Sequence, residues 1–174
     1  MLILPGAPAG SAFRRARLLG LVQRIDPGVQ GLQARYVHFV DCAVPPDSTQ
    51  HTQLARLLGL EAVAAYAGTA GALLVVPRPG TISPWSSKAT DIAHVCGLEF
   101  VRRIERGIEY AFEGSVSAAP AALGAPLHDR MTEAVLTGAA AASALFSIAT
   151  PAPLRRIPLA GGRAALVAAN RELA

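Results

Sequence analysis

The stretch Ala72-Leu73-Leu74-Val75-Val76-Pro77-Arg78-Pro79-Gly80-Thr81-Ile82-Ser83-Pro84-Trp85-Ser86-Ser87-Lys88-Ala89-Thr90-Asp91-Ile92 passes from strand to helix within a few residues. The apolar run up to Pro77 is a compact strand. Pro79 and Gly80 form a tight loop. Ser83 sits at the N-cap and Pro84 at the first helical position, where its missing N–H costs nothing. Trp85, Ala89, Ile92 and Cys96 then recur at helical spacing as the core-facing stripe of a helix from about Pro84 to Cys96, with Gly97 as its stop.

Working outward, the same alternation continues. Leu2 to Leu4 reads as a strand ended by Pro5-Gly6. Ser11 caps a helix to about Ile25, with Leu18, Leu21, Val22 and Ile25 as its apolar stripe. Leu32 to Val40 is a strand that turns apolar on both sides at Val37 and Phe39, so it is covered on both faces. Pro45 to Ser48 leads into a helix that buries Leu54, Leu57 and Leu58. Phe100 to Phe112 reads as two strands meeting at Arg106-Gly107. In the second, Ile108, Tyr110 and Phe112 face one way and Glu109, Ala111 and Glu113 the other. A last helix spans about Leu127 to Phe146.

The order β-α-β-α-β-α-β-β-α implies an α+β sandwich with helices packed on a mainly antiparallel sheet. Residues 150–158 form a Pro-rich connector. Gly161 to Ala174 begins an amphipathic helix that has no stop signal, which predicts that the polypeptide continues.

Composition narrows the function classes. At 174 residues, 52% hydrophobic and 16% charged, the chain is too apolar for disorder and long enough for a core without disulfides. The net charge of +4 rests on arginine, since Lys88 is the one lysine. Codon composition explains that bias better than nucleic-acid binding. Cys42 and Cys96 form no CxxC pair and read as reduced, buried thiols of a cytoplasmic protein. The uncharged stretch Ala134 to Leu154 is rich in small residues and broken by Pro151 and Pro153, so it reads as packed chain rather than a membrane span. Arg14, Arg15, Arg17 and Arg24, with no acid before residue 26, could suit a transit peptide, but a strand and an amphipathic helix explain the segment equally well.

Two clusters could carry chemistry. The first is the loop and helix start around Ser83. It reads either as a capped helix with polar surface residues or as an anion site, with Arg78 and Lys88 as cations and Thr81, Ser86 and Ser87 as hydroxyls. The second is Arg102, Arg103 and Arg106 with Glu99, Glu105 and Glu109. It reads as alternating charge on an exposed strand face, or as a phosphate or partner contact. No P-loop spacing, nucleophile elbow or metal-ligand pattern occurs in the sequence. These residues describe a non-catalytic module, with no catalytic group and no metal ligand of its own.

The run Pro77 to Gly97 closely resembles the N-terminal domain of phosphoribosylformylglycinamidine synthase in its long, single-chain form. Ala34 to Asp41, Arg103 to Gly107 and Leu127 to Glu133 match in order. The resemblance implies a PurS-like domain over residues 1–149 and a connector with the start of a linker domain over 150–174. It implies a cytoplasmic ligase of purine biosynthesis that uses ATP, Mg and glutamine, bound in synthetase and glutaminase domains beyond this sequence. Those two domains would be the partners of this segment, with no nucleic acid and no membrane involved. Arg78, Thr81, Ser83, Trp85, Ser86, Ser87 and Lys88 are then interface or substrate-proximal residues, and Arg103 and Arg106 further interface residues. A separately encoded adaptor of a split enzyme and a basic RNA-binding module are the alternatives.

Overall fold

The structure is a computed structural model and describes residues 1–60, 66–147, 153–154 and 156–173. Five strands form one antiparallel sheet: β1 (Leu2–Pro8), β2 (Val29–Cys42), β3 (Leu73–Pro77), β4 (Val101–Gly114) and β5 (Glu133–Leu136), in the order β1-β2-β4-β3-β5. Helices α1 (Ala12–Gln23), α2 (Ser48–Leu57) and α3 (Pro84–Val95) share one face. Alternate residues of β2 show why. Leu32 and Ala34 pack with Val22 of α1, and Val40 packs with Leu54 of α2 and Ala93 of α3. Val37 and Phe39 point the other way, onto Leu74, Val76, Ala142 and Leu145. The sequence therefore locates both the α+β class and the doubly covered centre of β2.

Local chemistry sets the helix starts. Ser11 caps α1 by accepting from the Arg14 N–H. Asp47 and Gln50 form a reciprocal capping box on α2. Asp26, just past α1, accepts from the backbone N–H groups of Ala118, Ser117 and Gly28. Those donors, Ala118 and Ser117 foremost, hold its carboxyl below the usual carboxylate range and tie the α1 exit to the loop after β4.

The sheet has an internal symmetry. From residue 12 to 84 and from residue 29 to 101 the step is 72, and α1 and β2 repeat as α3 and β4 with unchanged lengths. The ladder pairs Tyr36 with Ile108, again 72 residues apart. A pseudo-twofold axis therefore passes between these two side chains, and β2 and β4 meet across it as two 14-residue strands.

The tail of the expected order differs. Residues 101–114 form one strand rather than two meeting at Arg106-Gly107. Gly107 is paired with Val37, and a Cβ there would lie 2.7 Å from the Val75 carbonyl oxygen and 2.9 Å from Val76 Cγ1. The glycine allows close approach of β3 and marks no turn. The helix expected over Leu127 to Phe146 is absent as well. Only a short α4 (Pro120–Gly124) precedes β5, and a 3-10 helix (Ala139–Phe146) follows it. The open edge of β3 takes Glu133–Leu136 as a partner strand, which satisfies backbone groups that a helix would leave unpaired. Thr137 and Gly138 then turn the chain so that Ala142 and Leu145 cover the second face of the sheet.

The inward face of α3 is rotated by about one residue from the expected stripe. Ser86 and Ala93 are buried, Trp85 and Ala89 flank them, and Ile92 and Cys96 are exposed. The cysteines are thus not both buried: Cys42 is half-buried and Cys96 lies on the surface. Of the connector expected over 150–158, residues 150–152 and 155 lie outside the described residues. Helix α5 (Gly162–Leu173) lies where the sequence places it.

Candidate functional site

β4 carries alternating side chains to opposite faces of the sheet, and this divides the candidate residues into two groups. Glu105 lies on the face away from the helices, opposite Phe39, and is fully buried. Arg103, on the same face, donates to Glu105 Oε1 through Nε at 3.2 Å and Nη2 at 2.5 Å. The Ser83 hydroxyl donates to Glu105 Oε2 at 2.9 Å, and the Ser83 N–H reaches Oε1 at 3.3 Å. Ser83 Oγ also accepts from the Ser86 N–H at 3.0 Å, which makes it the helix cap. Arg103 donates further to the Thr81 carbonyl at 2.7 Å and lies over the Phe146 ring. The loop itself is closed by the Thr81 hydroxyl, which donates to the Arg78 carbonyl at 2.6 Å.

The entry of α3 therefore already has an anion, the chain's own Glu105. Exposed alternating charge is not what this strand presents: Glu105 and Glu109 are buried, and Arg103 is mostly covered. The capped-helix reading of Ser83 is the one the geometry bears out. Ser83→Ala removes the cap and the hydroxyl that donates to Glu105 Oε2. It is expected to cost about 1–2 kcal/mol in urea denaturation. A loss below a few tenths would mean that the cap is not formed in solution.

The second group lies on the helix side. Arg106 is paired in the ladder with His38. Its guanidinium carbon lies over the Tyr36 ring, 4.4 Å from the centre, and over the Trp85 ring, at 4.5 Å. The His38 and Trp85 rings are 5.7 Å apart. His38 is buried, and its Nδ1 has no hydrogen-bond partner. Burial first, then the Arg106 charge, bring its imidazole down from the ordinary 6.5 to about 4, against the opposing pull of the Leu4 backbone. Lys88, one turn into α3, lines the same cavity with Leu57, Leu58 and Ile92.

Of the sequence-derived site residues, Ser83 and Arg103 converge on Glu105 and Arg103 also holds the Thr81 carbonyl, whereas Trp85, Lys88 and Arg106 line the cavity beside His38. Arg78 and Ser87 are exposed and join neither group, and Ser86 is buried with its hydroxyl unpartnered. Sequence reasoning missed Tyr36 and His38, and placed Glu105 in a charged cluster without seeing its burial. The signal for the first two was present: spaced by two on β2, they had to share a face with whatever β4 residue paired between or beside them. A further polar cluster lies on the other side of the sheet. Arg35, Tyr66 and Thr69 all donate to buried Glu109. Burial, then the bond to Glu109, push the Tyr66 phenol above its usual range.

The model of the family described as formylglycinamide ribonucleotide amidotransferase N-terminal matches residues 35–146. The chain belongs to this family. The matched span runs from β2 through the 3-10 helix and holds the α3 motif, Glu105 and Arg106. Membership connects the chain to phosphoribosylformylglycinamidine synthase, the formylglycinamide ribonucleotide amidotransferase of purine biosynthesis. Among the described residues, no helix of this formylglycinamide ribonucleotide amidotransferase N-terminal chain is long and apolar enough to cross a membrane.

Proposed function

We propose that this chain is the non-catalytic docking segment of the amidotransferase, in which it presents the α3 entry loop to the synthetase domain and helps enclose the path of ammonia. The observation that carries this is the anchoring of that loop. Glu105, Arg103 and the Ser83 cap fix its backbone to the sheet, while Arg78, Thr81, Ile82, Ser87 and Lys88 stay exposed along it. A rigid loop with an outward polar and apolar surface can form a fixed contact at little entropic cost. Sealing a path for ammonia needs such ordered, water-excluding contacts.

On this reading residues 1–149 are the PurS-like unit and residues 150–174 a connector with the start of a linker domain. ATP, Mg and glutamine are bound by the synthetase and glutaminase domains of the same cytoplasmic enzyme. The chemistry is formylglycinamide ribonucleotide, glutamine and ATP going to formylglycinamidine ribonucleotide, glutamate, ADP and phosphate.

The test is Lys88→Ala in the full-length enzyme, comparing glutamine consumed with amidine formed. The exposed position predicts a stability change under about 0.5 kcal/mol. Loss of a docking contact predicts a fall in coupling or rate of about 5- to 100-fold, equivalent to roughly 1–3 kcal/mol. Unchanged coupling with normal assembly would overturn the docking role of this loop.

A further inference from the structure

The cavity between the end of α2, α3 and the centre of β2 and β4 has a volume of about 310 Å³, within the range of small-ligand sites. Its polar lining is one-sided. Lys88 and Arg106 each bring a positive charge, and among the described residues neither side chain has a carboxylate or other hydrogen-bond partner. Elsewhere among the described residues Arg35 meets Glu109, Arg102 meets Asp41, and Arg103 meets Glu105. A concavity of about 400 Å³ beside Arg15, Arg35 and Glu109 holds one such pair, Arg35 with Glu109.

Arg106 is built for one purpose in this setting. Its guanidinium lies against both the Tyr36 and Trp85 rings, and among the described residues its N–H groups have no acceptor. A planar donor edge matches the two oxygens of a carboxylate or the oxygens of a phosphate. Leu57, Leu58 and Ile92 supply an apolar wall beside it. Next to the cations lies buried His38, with Nδ1 unpartnered.

We infer that this cavity is a binding site for a small organic anion, a carboxylate or phosphate monoester carried on a compact apolar or aromatic body. The oxyanion sits against the edge of Arg106 and within reach of Lys88, and the body lies on Leu57, Leu58 and Ile92. A bare inorganic ion uses only half of the site and binds more weakly. This goes beyond the docking role, although Lys88 and Trp85 are shared. Binding is read on this chain and coupling on the full-length enzyme, so one can fail while the other holds.

Trp85 is the only tryptophan and sits against Arg106, so it reports occupancy directly. The intact chain is titrated with phenyl phosphate, benzoate and inorganic phosphate, and Trp85 emission is followed. Phenyl phosphate is expected to give a saturable change in the micromolar to low millimolar range, at least fivefold tighter than inorganic phosphate. Lys88→Gln should weaken it about fivefold and Arg106→Gln about tenfold or more, while Arg102→Gln leaves it unchanged. Since Arg106→Gln could disturb the Tyr36 and Trp85 packing, circular dichroism accompanies it, and the exposed Lys88 variant decides alone if it unfolds. No saturable change up to 10 mM, or equal weakening by Lys88→Gln and Arg102→Gln, would overturn the site.

Discussion

Glu105→Ala is expected to lower the unfolding free energy by about 3–5 kcal/mol, as breaking a buried pair from one side does. Glu105 is fully buried, so nothing but its partners compensates its charge. Its removal leaves the mostly covered Arg103 guanidinium with only its bond to the Thr81 carbonyl, and leaves the Ser83 N–H and hydroxyl without acceptors. Glu105→Gln keeps an acceptor for Ser83 and loses the ion pair, so an intermediate loss is expected. Urea denaturation at pH 7 measures both. An alanine variant within 1 kcal/mol of the parent chain would show that the pair does not hold the loop. It would also remove the rigidity on which the docking role of the α3 entry depends.

Much of this arrangement is visible in the sequence because it is locally encoded. Ser83-Pro84 and Ser11 fix helix starts through contacts three residues away, and the alternation of Leu32, Ala34 and Tyr36 fixes one face of β2. What escapes the sequence is set by distant partners. Arg106-Gly107 has the chemistry of a turn, but β2 offers β4 a continuous 14-residue partner and the turn does not form. Residues 133–136 lie in a helix-favouring segment, yet the open edge of β3 recruits them as a strand. Glu105 looks like one more surface charge until Ser83, 22 residues earlier, is brought against it. The same distance effect governs the candidate site. Arg103 and Arg106 are three residues apart in a charged run, but the pleat sends them to opposite faces, one into an ion pair and the other against the Tyr36 and Trp85 rings. His38 gains its place beside Arg106 from ladder register, which no local pattern specifies.

That register gives His38 an acid sensitivity. Its imidazole titrates at about 4 in the folded chain against 6.5 ordinarily, because burial and then the neighbouring Arg106 charge oppose protonation. Above pH 6.5 the ring is neutral whether the chain is folded or not, and it makes no pH-dependent contribution. Between pH 6.5 and 4 the unfolded chain binds a proton that the folded chain refuses, so stability falls as the pH drops. Below about 4 both states are protonated and the loss levels off. The shift corresponds to a total of about 3 kcal/mol, of which roughly 2–3 is lost by pH 4.5. Carboxylates such as Asp26, whose depressed value makes its own contribution vanish in acid, act over an overlapping range. The comparison must therefore be differential: urea denaturation at pH 7 and pH 4.5 for the parent and for His38→Asn. The variant should show the smaller acid loss by about 2 kcal/mol. Arg106→Gln, which removes the second cause but not the burial, should fall between the two. A titration of the His38 ring by nuclear magnetic resonance should give a midpoint near 4. A midpoint near 6.5 would mean that water reaches the ring, and with it the cavity that Trp85 and Arg106 enclose. Equal acid losses in parent and variant would assign the acid sensitivity to the carboxylates instead.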